Sequence, residues 1–139
     1  MSLNTDARTI DWRQTTSIWE ETPEVIAAWA FGSAWNGQIA PGSDADVGVW
    51  FETRPTFERQ LALLARLQEA LGADEVDLVV LNDANPVLRF EAISGRSLFC
   101  RDRSRCAGFA SLTAREYEDA MAFWEHGMRT RSKAHQAHP

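Results

Sequence analysis

Three short, nearly uninterrupted apolar runs constrain what this chain can fold into more than any other feature. Val25 to Phe31 reads Val-Ile-Ala-Ala-Trp-Ala-Phe, and Val47 to Phe51 and Val76 to Leu81 are of the same kind. Runs this short, apolar on both alternating faces, read as strands buried inside a layered structure rather than as helices. Between the second and third, Phe57, Leu61, Leu64, Leu67 and Leu71 recur at helical spacing, with Thr56 placed to cap and Gly72 to terminate. Pro86 followed by Val87 to Ile93 predicts another short helix, stopped by Gly95, and Ser97 to Cys100 an edge strand.

The flanks carry weaker signals. Trp12 to Glu21 predicts a short helix closed by Thr22-Pro23, with Trp12, Thr16 and Trp19 on one face. Thr113 and Glu116 form a capping box, with Leu112 and Tyr117 as its hydrophobic staple, which predicts a C-terminal helix over about 114–131 and a frayed tail from Arg129. The stripe Tyr117, Met121, Trp124 and Met128 reads as core, with a partner-binding face as the alternative. The predicted architecture is one α/β (α+β) domain over 1–139, with a small mixed sheet flanked by helices and a core over about 12–102.

Composition narrows the function classes. A formal charge of −6 argues against direct, sequence-independent binding of nucleic acid, which needs Lys and Arg to neutralise phosphates. The Arg96, Arg101, Arg103 and Arg105 cluster and the Arg129, Arg131 and Lys133 cluster read as solvated charge. No apolar stretch approaches the roughly 18 residues of a membrane span, and Met1 to Arg8 lacks a signal-peptide core, so no membrane is expected and the protein reads as cytoplasmic. Cys100 and Cys106 match no zinc spacing and read as two free thiols.

The chemistry resides in Gly32-Ser33, Asp44-Ala45-Asp46 and Asp77. Gly32-Ser33 directly follows the first strand, where backbone N–H groups can approach phosphate oxygens without an intervening Cβ. Gly37 and Gly42 let the loop turn back toward Asp44. Asp44 and Asp46 point to one face, roughly 6.6 Å apart. Asp77 lies one residue into the third apolar run, where burial would be expensive unless it were paired, protonated or bound to metal. If the second and third runs are neighbours the three carboxylates converge, and hard oxygen ligands with positions left for water and phosphate describe Mg²⁺. His126, His135 and His138 are remote in sequence and read as exposed or structural, and Trp35 reads as packing, with stacking on a base or partner ring as its other reading.

Phe31-Gly32-Ser33 through Asp44-Ala45-Asp46-Val47-Gly48-Val49 resembles the signature of the polymerase-β-like nucleotidyltransferases, and the short chain resembles their minimal branch. Val76 to Asn82, Pro86 to Glu91 and Gly95 to Phe99 resemble the version found in antitoxins paired with HEPN-domain ribonuclease toxins, so the likeness covers roughly residues 12–102. The resemblance implies a domain that binds ATP with Mg²⁺ and transfers AMP to a tyrosine hydroxyl of the HEPN partner. It implies that Gly32, Ser33, Gly37 and Ser43 bind the nucleotide. Asp44, Asp46 and Asp77 would be the catalytic and metal-binding acids, with Asp77 also helping to deprotonate the attacking hydroxyl. Where the family commonly has Gly-Ser-Arg-Ala-Arg-Gly this chain has Gly32-Ser33-Ala34-Trp35-Asn36-Gly37, without either arginine. That departure motivates a second reading, an antitoxin that neutralises its toxin by binding alone. Transfer of a nucleotide to a small molecule such as an aminoglycoside ranks lower, because those enzymes usually carry a further substrate domain.

Overall fold

The first apolar run becomes the middle of the sheet. The computed structural model describes residues 8–136, with side chains as far as Arg131. Along the chain come β1 (Arg8–Thr9), α1 (Thr16–Glu20), β2 (Val25–Phe31), β3 (Gln38–Ile39), β4 (Ala45–Phe51), α2 (Phe57–Leu71), β5 (Val76–Val80), α3 (Pro86–Ile93), β6 (Arg96–Cys100) and α4 (Arg103–Gln136). The main sheet runs β5-β4-β2-β6. Strand β2 is antiparallel to both neighbours, whereas β4 and β5, joined through α2, are parallel. A mixed sheet flanked by helices is therefore present as predicted. The two-residue strands β1 and β3 pair in a separate ribbon, and each is too short to show a periodicity in sequence.

All seven residues of β2 are buried because both faces are covered. Ala28 and Ala30, with Val47 and Val49, face Trp12, Ile18, Trp19, Leu63 and Leu67. Ala27, Trp29 and Phe31 face Leu81, Ala92 and Phe109. Each fully buried large apolar side chain contributes about 1.5–3 kcal/mol, so this two-faced packing is what a continuous apolar strand encodes.

Local chemistry sets the helix ends. Thr56 accepts a hydrogen bond from the Arg59 N–H at 3.2 Å, and Gly72 closes α2 at φ 65° in the left-handed region. Asn85 accepts from the Leu88 N–H at 2.9 Å and Pro86 opens α3. The buried stripe of α2 is Leu63, Leu67 and Leu71, while Phe57 and Leu61 are exposed, so the predicted face is correct only toward its C-terminal end. Before α1, Trp12–Thr15 is a 3-10 turn. Its tighter winding aligns residues three apart and buries Thr15 in place of the expected Thr16. The Thr15 hydroxyl donates to the Trp12 carbonyl at 2.6 Å and accepts from Trp19 Nε1 at 3.0 Å.

The C-terminal helix starts about ten residues earlier than its predicted cap. Asp102 accepts from the Arg105 N–H at 3.2 Å at the true start. Thr113 is buried mid-helix with an unpartnered hydroxyl. Glu116 instead reaches Arg89 on α3 at 3.4 Å, and Tyr117 stacks on Phe90 with centroids 4.1 Å apart. The predicted apolar stripe packs only as far as Met121; Trp124 and Met128 are exposed. The helix continues through the expected frayed region to Gln136, while residues 137–139, all but the last of the N-terminal residues 1–8, and the side chains of Lys133, His135 and His138 lie outside the described residues. His126 is exposed on α4.

Cys100 and Cys106 are paired as a disulfide, not free thiols. The turn at Arg101-Asp102 reverses the chain and brings their Cα atoms to 6.5 Å, within the usual disulfide span. The bridge joins the end of β6 to the first turns of α4. Among the described residues no helix is long and apolar enough to cross a membrane.

Candidate active site

Strand register brings the key residues together. Phe31 stands opposite Asp46 across β2 and β4, and the chain turns as soon as it leaves β2. Gly32 adopts φ 72°, and a Cβ there would occupy the space filled by the Asp46 carboxylate. Both its conformation and its lack of a side chain are therefore required. Across β4 and β5, Asp46 and Asp77 are direct partners in a parallel ladder, which places both side chains on one face of the sheet.

The loop beyond Gly32 is tied at several points. Gly32–Ala34 forms a 3-10 turn, and the buried Trp12 Nε1 donates to the Ala34 carbonyl at 3.0 Å. The Gly37 N–H donates to the Ala34 carbonyl at 2.9 Å, and the Ile10 N–H donates to the Gly37 carbonyl at 2.7 Å. Gly37 sits at φ 92° with the Ile10 carbonyl where a Cβ would be. Asn36 accepts from the Gln38 N–H at 3.1 Å, and the Ser43 N–H donates to the Ala40 carbonyl at 3.0 Å. Positions 34, 36 and 37 thus hold the loop together.

Asp46 is half-buried, and its carboxyl is pushed above the ordinary aspartate value. Burial contributes most, followed by the negative charges of Asp77, Asp44 and Glu91. Asp77 itself is exposed, contrary to its predicted burial, because β5 is the edge strand of the sheet. Among the described residues no three His, Cys, Asp or Glu side chains are gathered closely enough to hold a metal ion unaided. The donor set still fits Mg²⁺, which is usually bound by one or two carboxylates together with substrate phosphates and water. The mutual repulsion recorded at Asp46 is what a divalent cation would relieve.

Beside this cluster a cavity of about 370 Å³ is lined by Phe31, Gly32, Trp35, Glu91, Ser94, Gly95 and Arg96. A second, of about 420 Å³, opens at Ser33 and includes Asn36, Gln38 and Pro41. Gly32 and Ser33 thus border different cavities, and neither cavity is lined by Gly37 or Ser43. Glu91 escaped the sequence reading because its place depends on α3 packing closely over β4. Gly48 permits that approach: a Cβ there would lie 3.0 Å from Ala92 Cβ and 3.1 Å from Leu81 Cδ2. Arg96 was visible as a member of a charge cluster and within the segment Gly95 to Phe99 that carries the family resemblance, without a role in the site.

The family described as "Polymerase beta, Nucleotidyltransferase" matches residues 13–104, which contain the whole arrangement. This chain belongs to the polymerase-β nucleotidyltransferase family. The nucleotidyltransferase also shares its fold with solved structures of toxin–antitoxin assemblies. One is a tri-AMPylated Shewanella oneidensis HEPN toxin in complex with an MNT antitoxin, at TM-score 0.65 and 21% identity over 86% of this chain and 96% of that one. Another is a toxin–antitoxin with AMP-PNP, at TM-score 0.71 and 22% identity over 88% and 99%. A third, MntA-HepT, has TM-score 0.64 and 22% identity over 86% and 97%. No curated protein matches the nucleotidyltransferase significantly.

Proposed function

We propose that this nucleotidyltransferase is the cytoplasmic antitoxin of a toxin–antitoxin pair, and that it transfers AMP from ATP to a tyrosine hydroxyl of a HEPN ribonuclease toxin with Mg²⁺. The observation that carries the reading is the in-register Asp46–Asp77 pair beside the Gly32 turn. The AMPylated toxin and the AMP-PNP complex among proteins of this fold support the choice of reaction and partner.

Asp44, Asp46 and Asp77 would hold Mg²⁺, which when bound would offset charge on the phosphates and on the attacking oxygen. Gly32 and Ser33 would receive the triphosphate on their backbone N–H groups, with Gly32 packed against the Asp46 carboxylate, and Gly37 and Ser43 would shape the loop that presents it. Asp77, exposed at the sheet edge, is open to an incoming hydroxyl and would accept its proton. The tyrosine oxygen would form the new bond to the α-phosphorus as the bond to pyrophosphate breaks. A second reading, neutralisation by complex formation without catalysis, is favoured by Ala34 and Asn36, which supply no guanidinium to the loop.

The test is incubation of the chain and its cognate HEPN protein with Mg²⁺ and ATP labelled at the α- or γ-phosphate. Label reaching the toxin from the α position alone supports AMP transfer, and the Asp44→Asn, Asp46→Asn double variant should then lose it while staying folded. A stable complex with no label from either position overturns transfer in favour of occlusion.

A further inference from the structure

We propose that Trp35 and Arg96 form a clamp for a nucleoside triphosphate, with the base stacked on the indole and the polyphosphate held by the guanidinium. The inference rests on the nucleotidyltransferase reading of the same site. Both residues line the cavity that also contains Gly32 and Glu91, whose volume of about 370 Å³ lies within the range of small-molecule sites.

Trp35 differs from the tryptophans that build the fold. Trp12 and Trp19 are 1% and 0% exposed, whereas Trp35 is 53% exposed. Its backbone is nevertheless held, because the preceding Ala34 is buried and bonded to Trp12 through its carbonyl. An indole presented from a tied turn into a cavity is a stacking platform with little ordering left to lose on binding.

Arg96 is positioned from the other side. It is the first residue of β6 and stands opposite Ala30 of β2, while Gly95 packs directly against Ala30 and Phe31. Arg8, Arg89 and Arg105 are each held by a carboxylate, and Arg101 is held by three backbone carbonyls. Among the described residues Arg96 has no such partner, and it is the cation lining this cavity.

Charge favours a cation there. Glu91 lines the same cavity, so a polyphosphate entering it meets a carboxylate and gains from a facing guanidinium. The loop offers no relief, since Ala34 is buried and the Asn36 side chain is engaged with the Gln38 N–H. Arg96, at the start of β6, lines this cavity and can form charge-assisted hydrogen bonds to phosphate oxygens.

Calorimetric and fluorescence titration of the full chain with ATP and Mg²⁺, in the absence of the toxin, tests the clamp. Arg96→Ala should weaken ATP binding about tenfold, with Arg96→Lys intermediate. Trp35→Ala should weaken it about tenfold, whereas Trp35→Phe should keep most of the affinity but lose the ATP-dependent quenching of indole fluorescence. Both side chains are exposed, so melting temperatures should stay near that of the unmodified chain. ATP binding by the unmodified chain with Arg96→Ala or Trp35→Ala within twofold of it overturns the clamp alone. No ATP binding by the unmodified chain overturns the clamp and the nucleotide reading together.

Discussion

Asp46 concentrates the conflict between stability and chemistry in this molecule. Its carboxyl is raised by burial and by three neighbouring acids, so holding it ionised at neutral pH opposes folding, and stability should increase as pH falls toward its pKa. Asp46→Asn should therefore raise the melting temperature of the metal-free protein by roughly 2 °C while abolishing transfer. Added Mg²⁺ should stabilise the unmodified chain more than the variant, as scanning calorimetry with and without the ion would show. A variant that melts lower than the parent would contradict this account. Gly32 and the acids at 44, 46 and 77 were legible as a candidate set because each flanks or interrupts an apolar run. Glu91 was not, since one glutamate on a short helix looks like any other until its neighbours are known.

At the scale of elements, the junction of β4 with α3 controls the site wall. Gly48 lies under Ala92 and Leu81, where a Cβ would sit 3.0 Å from Ala92 Cβ and make its neighbours give by a few tenths of an ångström. Gly48→Ala should force α3 outward and destabilise the fold by about 1–3 kcal/mol, measurable by urea unfolding. The displacement would carry Glu91, Ser94 and the turn to Arg96, so ATP binding should fall as well; unchanged stability would show that α3 is free to shift. Helices α2 and α3 were readable from their caps, because Thr56, Gly72, Asn85 and Pro86 act within a few residues of themselves. The start of α4 was misread because two local signals competed. Asp102 won, and packing of Tyr117 on Phe90 and Glu116 on Arg89 drew the false capping box into a continuous helix. The disulfide was equally hidden, since its formation depends on a chain reversal that Cys spacing alone does not encode.

Across the whole molecule, α4 divides into a packed half and an exposed half. Phe109 is buried and stacks on Trp50 with centroids 4.3 Å apart, whereas Phe123 is 81% exposed. A chain ending after Met121 should fold with a melting temperature within about 3 °C of the full chain. One ending after Gly108 should lose about 3–5 kcal/mol with Phe109 alone and fail to give a cooperative transition by circular dichroism. The amino-acid sequence by itself determined three apolar strands, two capped helices and the order of Gly32, Asp44, Asp46 and Asp77 along the chain, because periodicity and capping are local properties. Tertiary structure decided which strands became neighbours, that Asp77 lies on an exposed edge, and that Glu91, Trp35 and Arg96 share one cavity. Those outcomes depend on contacts between residues distant in the chain, whose energies are set by packing and register rather than by the residues next to them.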